Sequence, residues 1–308
     1  MQSNTTQVPV VALVGGTDCS GGAGLSADIA VARHFGAFPM PVVSCVTSQG
    51  PDGLRMMTPV EETLFADQLS AVLDNARPSA LKIGMLPSAR HMAILRGMLE
   101  HHKVSNVVFD PVMAPTAGAA NFKADWWEEE QELRAFLQCV DMATPNLVEL
   151  SRLTAPLLSS CEEYTGNSRA ASGRLTDADA LLAGRTFLKH YHCRHLLLTG
   201  GHNVDHPYCD ILFTADPSGD APLIARFTGS EVPTPNTHGT GCVYSSAIAT
   251  LLALGHPARQ AVQMARLLMH NLLLEGADFR LYPDRPDSHG PTFVTAPASH
   301  QSKRRSHI

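Results

Sequence analysis

Short apolar runs alternate with stretches of helical spacing along most of the chain. Val10-Val11-Ala12-Leu13-Val14 is an apolar run closed by Gly15-Gly16, the pattern of a strand buried on both faces. Leu25 to Phe35 carries apolar residues at helical spacing until Gly36 stops it, and Pro41 to Thr47 reads as a second strand. Val60 to Asn75 puts Leu64, Phe65, Leu69, Val72 and Leu73 on one side of a helix. Ala80 to Ile83 follows as a strand, His91 to His102 as a helix and Asn106 to Asp110 as a strand. The alternation continues with a helix over Asp125 to Cys139, an extended Met142 to Thr144 and a helix starting over Leu147 to Leu153. Thr176 caps a helix running to Lys189, and His195 to Thr199 is again a strand. Tyr208 to Thr214 and Ala221 to Thr228 flank the turn-rich Asp216-Pro217-Ser218-Gly219-Asp220 and predict an antiparallel pair. Two long helices, Thr240 to Leu254 and Pro257 to Glu275, close the body.

Strands alternating with helices imply β-α-β units. The expected fold is therefore α/β, with a central, mostly parallel sheet covered by helices on both faces and no large separate lid domain. The body spans 10–275. Residues 1–9 read as a flexible start, the polar and weakly periodic 154–173 as a surface insertion, and 276–308, rich in Pro, Asp, His and Ser, as a loosely ordered tail.

Composition narrows the partners. Of 308 residues, 44% are hydrophobic and 17% charged, enough apolar material for a sizeable core. The net charge is −6 and no basic stripe runs through the body, which argues against a nucleic-acid partner. Lys303-Arg304-Arg305 reads as a solvated tail. The seven cysteines include no CxxC pair, a pattern that fits a reducing compartment. No apolar run approaches membrane-spanning length and the first nine residues lack an apolar stretch, so the expectation is a cytoplasmic protein without a membrane partner. His190, His192, Cys193 and His195 lack a regular ligand spacing and read as a helix end rather than a metal site.

Three segments carry candidate chemistry. Asn236-Thr237-His238-Gly239-Thr240-Gly241-Cys242 opens directly into a helix, so several backbone N–H groups can converge on one anion with the helix dipole behind them. Cys242 falls in the first turn, where a lowered thiol pKa is expected. Gly15-Gly16-Thr17-Asp18-Cys19-Ser20-Gly21-Gly22-Ala23-Gly24 joins a strand to a helix and carries five glycines, a backbone suited to close approach by a ligand. It is neither a Walker A loop nor a GxGxxG fingerprint. Asp110, closing a strand in Asp-Pro-Val-Met, and Glu149, just past another strand end, are carboxylates placed as Mg²⁺ and phosphate sites require.

Taken in order, these segments resemble the hydroxymethylpyrimidine and phosphomethylpyrimidine kinases of thiamine biosynthesis, within the ribokinase-like fold. The matching pieces are Gly15 to Ile29, Gln49, Lys82 to Met85, Asp110 to Met113, Thr144 to Leu150, Gly200 to His202 and Asn236 to Cys242. The resemblance runs from about Val10 to Glu275. It implies ATP- and Mg²⁺-dependent phosphorylation of the hydroxymethyl group of an aminopyrimidine, then of the monophosphate, by a homodimeric enzyme. Cys242 takes the place of the superfamily's aspartate base, and Gly239, Thr240 and Gly241 supply the anion hole. Asp110 and Glu149 organise the metal. Gln49 binds the aminopyrimidine, and Gly16, Asp28, Met85 and Val112 line its pocket. ATP lies beside Asn146, Thr199, Gly201 and His238.

The sequence departs from that pattern at several positions. Cys19 stands for a proline, Gly50-Pro51 for an asparagine-threonine, and Thr199 for a lysine. Ala114-Pro115-Thr116-Ala117-Gly118 lacks the usual lysine, with Lys123 the nearest cation in sequence. Two alternatives therefore stand beside the leading reading: a pyridoxal kinase of the same superfamily, and a catalytically weak pyrimidine-binding homologue.

Overall fold

The structure, a computed structural model, describes residues 8–113, 126–161, 176–200, 205–219, 221–284 and 290–292. These residues form nine strands in one sheet and eight helices. The strands are β1 (Val10–Gly16), β2 (Phe38–Gly50), β3 (Gly53–Pro59), β4 (Ala80–Ile83), β5 (Val107–Phe109), β6 (Met142–Ala143), β7 (His195–Leu198), β8 (Cys209–Thr214) and β9 (Leu223–Thr228). The helices are α1 (Gly24–His34), α2 (Glu62–Ala76), α3 (Ala89–His102), α4 (Glu130–Leu137) and α5 (Leu147–Leu158). Then come α6 (Asp177–Tyr191), α7 (Thr240–Ala253) and α8 (Ala258–Glu275).

The sheet runs β3-β2-β1-β4-β5-β6-β7-β8-β9. The run from β2 to β7 is parallel, while β3, β8 and β9 join antiparallel at the two edges. Strand order reverses at β1, which has β2 on one side and β4 on the other. Such a switch point opens a crevice beyond the carboxyl ends of the strands.

Residues alternate strictly between the two faces. Ala12, Val14, Leu81, Ile83, Val107, Phe109, Leu196 and Leu198 pack under α2 to α6. Val108, Met142, Leu197 and Leu212 pack under α1, α7 and α8, with Val11 and Leu13 in an adjoining cluster against Leu25. The period of two and both-sided burial explain why the central strands read as unbroken apolar runs. On the first face, Phe109 is the centre of an aromatic group, edge-on to Trp126 at 5.6 Å and to Phe136 at 5.1 Å between ring centroids.

The expected alternation and the β8–β9 pair are found, with four differences. The second strand extends over Phe38–Gly50 and turns through Pro51-Asp52 into β3, a strand the periodicity missed because Arg55, Met56 and Thr58 on this sheet edge are exposed. Gly53 takes φ 94 at that turn, a backbone only glycine adopts freely. The helix expected from Asp125 starts at Glu130, because Trp126 is buried against Phe109 before the helix begins. Helix α5 continues to Leu158, so 154–158 is helix with Thr154 buried, while the rest of the expected insertion, 162–173, lies outside the described residues. Finally, Gly290, Pro291 and Thr292 in the expected loose tail are buried against the body.

Replacing Phe109 by Ala removes the shared partner of two rings at a fully packed position. The expected loss is about 3–5 kcal/mol of stability, read as a lower midpoint in urea denaturation.

Candidate active site

Five strand ends meet around one cleft of about 1520 Å³. Gly15 and Gly16 arrive from β1, Gly84 and Met85 follow β4, Asp110 follows β5, Thr144 follows β6 and Thr199 follows β7. Every side chain expected to act there lines this cleft except Gly201, which lies outside the described residues. The Ala114–Gly118 segment and Lys123 also lie outside them.

The floor is the start of α7. Gly239 caps it at φ 86 and contributes no side-chain oxygen. Thr240 N–H donates to Thr237 O and Val243 N–H to Gly239 O, leaving the Gly241 and Cys242 N–H groups without an intrahelical acceptor. The glycine-rich loop after β1 lies directly against this turn. A Cβ on Gly239 would collide with the Gly22 carbonyl, and one on Gly24 (φ 54) with the Gly16 carbonyl. Glycine is needed here because backbone meets backbone.

Two further contacts lock these loops together. His238 Nε2 pairs with Asp18 Oδ2 at 2.8 Å, and Asp18 also accepts from the N–H groups of Ser20 and Ala23 at 2.8 Å each. Burial works against the charge of Asp18, but the bonds from His238 and Ser20 prevail and hold its carboxyl below the usual value. Asn236 Nδ2 donates to Gly276 O at 2.6 Å and to Phe279 O at 2.9 Å. The Gly290–Thr292 segment completes the clamp: His238 N–H donates to Gly290 O, and Thr292 N–H to His238 O. His238, expected beside ATP, thus has one ring nitrogen committed to Asp18.

Beneath the floor sits a buried ion pair. Lys82, the polar member of β4, faces α1 and α7 at 1% exposure, and its Nζ lies 3.0 and 2.9 Å from the two carboxylate oxygens of Asp28 on α1. Ser246 of α7 donates to Asp28 Oδ1 at 2.5 Å. Burial disfavours the Lys82 charge, yet Asp28, with Cys242 and Asp110 beyond it, holds the ammonium above its ordinary range. Asp28 lines the cleft as expected, and with its oxygens bonded to Lys82 and Ser246 it also supports the pocket floor. Sequence reading assigned Lys82 no role, although a lysine inside an apolar strand and an aspartate in line with Leu25 and Ala32 on α1 both signal burial.

The expected lowering of the Cys242 pKa is overturned. Burial pushes the thiol up to about 12, assisted by Asp28 and Asp110, and neither Lys82 nor the hydrogen bond from Gly24 N–H offsets it. The first-turn position of Cys242 is outweighed by desolvation and by two carboxylates.

The second pair of acids spans β5 and α5. Ser245 of α7 donates to Asp110 Oδ2 at 3.2 Å. Glu149 closes a capping box: its Oε2 accepts from Asn146 N–H at 2.8 Å while Asn146 Oδ1 accepts from Glu149 N–H at 3.0 Å. Burial, with the charge of Asp110, pushes Glu149 up to about 8, and burial raises Asp110 as well. Two buried carboxylates that repel one another suit a hard cation that shares its remaining positions with water and phosphate. Among the described residues no cluster of three or more His, Cys, Asp or Glu could hold a metal by protein ligands alone. The histidines near β7 disperse accordingly, His190 to Glu130 at 2.6 Å and His195 to Thr214 at 3.0 Å.

At the far end, Thr199 bridges to Asn146, and Gly200 N–H donates to Asp210 Oδ1 at 2.6 Å. Asp210 also accepts from Tyr244 Oη at 2.9 Å and pairs with Arg266. This hub was missed by sequence reading; a lone aspartate in a strand carries no signal until its partners are known. At the near end, Gln49 Nε2 donates to Thr47 Oγ1 at 3.0 Å, and Thr47 Oγ1 donates to Thr17 O at 2.6 Å. The chain of donors fixes which way the Gln49 amide faces in the cleft that Met85 and Val112 also line.

The switch-point sheet, covered on both faces and with its site at the strand ends, defines a ribokinase-like α/β protein. A pyridoxal kinase from Staphylococcus aureus, solved with AMP-PCP and pyridoxal, shares that fold at a TM-score of 0.72 over 92% of this chain and 93% of its own, with 20% identity. The chain belongs to the phosphomethylpyrimidine kinase family, whose model matches residues 18–282. It is 35% identical over 239 residues, 77% of this chain and 80% of the relative, to a hydroxymethylpyrimidine/phosphomethylpyrimidine kinase of Salmonella typhimurium. It is 31% identical over 256 residues to a thiamine biosynthesis bifunctional protein of Geobacter sulfurreducens, matching 83% of this chain but 47% of that longer protein.

Two measurements probe the buried charges. Lys82→Met leaves Asp28 buried and unpaired and is expected to cost about 3–5 kcal/mol, whereas Lys82→Met with Asp28→Leu recovers most of that loss in urea titration. For Glu149 the folded value of about 8 lies above the ordinary 4.5, so the native state holds a proton that the unfolded chain releases between these values. Stability is then full below about pH 4.5 and declines as pH rises toward about 8. Glu149→Gln flattens that decline in metal-free melting curves.

Proposed function

We propose that this protein phosphorylates 4-amino-5-hydroxymethyl-2-methylpyrimidine with ATP, and then its monophosphate. The observation that carries this reading is the oriented amide of Gln49 in the same cleft as the bare N-terminus of α7. With Nε2 held by Thr47, the amide keeps its oxygen and its second N–H for a substrate edge that offers an amino group beside a ring nitrogen. That is the donor-acceptor pair of an aminopyrimidine.

The remaining residues divide the chemistry. Met85 and Val112 line the ring pocket beside Gly16, where a side chain is excluded because a Cβ would lie 2.8 Å from the buried Cys45 Sγ. The Gly241 and Cys242 N–H groups, with Thr240 and Gly239 setting their direction, receive charge as it develops on the transferred phosphoryl group. Asn146 and Thr199 border the nucleotide. Asp110 and Glu149 would hold Mg²⁺, which supplies positive charge to the phosphates when bound. The hydroxymethyl oxygen attacks the γ-phosphorus in line as the bond to the bridging β–γ oxygen breaks and ADP leaves. The transition state is loose and asks little of a base, and the hydroxyl proton is lost to the transferred phosphoryl group and then to solvent. A thiol with a pKa pushed up to about 12 fits an orienting role for Cys242, holding the hydroxyl in line instead of abstracting its proton as thiolate. In the second transfer the nucleophile is already a phosphate anion and needs no such help. We further read the enzyme as a cytoplasmic homodimer of thiamine biosynthesis, as its resemblance implies.

An ADP-release assay with ATP and Mg²⁺ tests the reading, comparing hydroxymethylpyrimidine, its monophosphate and pyridoxal. Turnover of both pyrimidines above pyridoxal is the expected result. Preference for pyridoxal moves the protein to vitamin B6 salvage, and pyrimidine binding without turnover of any substrate marks a catalytically weak homologue. Cys242→Ala is expected to lower kcat on the alcohol by about 10²-fold and to change the second transfer much less.

A further inference from the structure

Among the described residues, positive charge is scarce in the cleft. They line it with five carboxylates, Asp28, Asp110, Glu149, Asp210 and Glu231, against three Lys and Arg side chains, Lys82, Arg152 and Arg266. Two of the cations are already engaged. Lys82 is buried and bonded to both oxygens of Asp28, and Arg266 is bonded to Asp210 and to the Tyr208 carbonyl. Arg152 differs from both. It is exposed to the cleft and, among the described residues, forms no ion pair.

Its place in the fold gives that charge a target. Arg152 follows Glu149 by three residues on α5, so the two share one helical face, a turn apart. Helical side chains lean toward the N-terminus of their own helix. The guanidinium of Arg152 therefore lies over the turn that holds Glu149, toward Asn146 at the start of α5. Among the influences on Glu149, burial and Asp110 push its pKa upward while the Asn146 bond and the Arg152 charge pull it down, as facing charges do. Asn146 in turn adjoins Thr199. Arg152, Asn146 and Thr199 thus border one stretch of cleft, at the positive end of a helix.

We propose that Arg152 is a nucleotide-binding residue, whose guanidinium grips the polyphosphate of the phosphoryl donor. A nucleoside triphosphate brings several negative charges into a cleft already rich in carboxylates. The planar fork of an arginine matches two non-bridging phosphate oxygens at once, where an ammonium offers a point charge. The assignment rests on the kinase reading above, and its contribution is to ground-state binding of the donor and not to pyrimidine recognition.

The test compares wild type, Arg152→Gln and Arg152→Lys for KM of ATP, KM of hydroxymethylpyrimidine, and binding of ATP and adenosine by calorimetry, all with Mg²⁺. The exposed position makes these variants fold normally, and matched thermal melting curves check that. Arg152→Gln is expected to raise the KM and Kd of ATP about 10- to 100-fold, with adenosine affinity and the pyrimidine KM within about twofold. Arg152→Lys recovers part of the loss. An unchanged ATP affinity in Arg152→Gln, with an active wild type, overturns the assignment and leaves the kinase reading standing. Equal weakening of ATP and adenosine also overturns it, because the arginine would then be shaping the site and not holding phosphate. A wild type that binds no ATP overturns both readings together.

Discussion

The Lys82 ammonium and the Asp28 carboxylate meet where water is excluded, and the geometry of the cleft is built up from that contact. Neither charge is tolerable alone in this environment, since an unpaired buried ion costs several kcal/mol. Strand β4 and helix α1 are therefore held in one relative position. Ser246 adds α7 to the same carboxylate, and Ser245, one residue earlier, reaches Asp110 at the end of β5. Four elements are tied by polar contacts that tolerate little displacement. Apolar packing alone would hold the same layers together but would allow small slides between them. The turn at Gly239–Cys242 begins one helical turn away and inherits this precision.

Above that pair, backbone replaces side chains. The loops after β1 and before α7 approach so closely that Gly22 and Gly239 leave no room for a Cβ, and Gly24 is closed against Gly16 within the first loop. The consequence is electrostatic as much as steric. Donors in this region are N–H groups fixed by the chain itself, which need no reorganisation as charge moves toward them. The same crowding buries Cys242 and explains why a residue at a helix N-terminus keeps its proton. Desolvation and the neighbouring carboxylates act over the same few ångströms as the helix dipole, and together they outweigh it.

Much of this was legible from the chain. Buried parallel strands announce themselves as apolar runs, and glycine-rich turns at their ends mark where a ligand can approach backbone. Val10 to Gly24 carried both signals and Asn236 to Cys242 the glycine turn alone, opening a helix; the two segments face each other in the structure. What escaped notice depends on pairing across the fold. Lys82 reads as an ordinary strand lysine until Asp28 is seen opposite it, 54 positions away in sequence. Asp210 becomes a hub only through Gly200, Tyr244 and Arg266, three segments with no common local pattern. Strand β3 was invisible for another reason. In this edge strand adjacent residues such as Arg55 and Met56 are both exposed, so neither face carries the apolar period that periodicity detects. The Cys242 thiol was misjudged because local rules see the helix terminus but not the burial.

The clamp formed by Gly290–Thr292 bears on how the site comes into existence. His238 reaches Asp18 across 220 positions, and its backbone is in turn held by Gly290 and Thr292. The first loop of the body waits for segments far along the chain to be made. During synthesis, the early strands and α1 can assemble while the cleft is still open and the glycine loop lacks its counterpart. Contacts of such long range form late, because chain closure must come before any of them is rewarded. The turn before α7 and the glycine loop facing it are thus locked together only after the Gly290–Thr292 segment has been made, and a nascent chain carries a formed sheet before it carries a closed cleft.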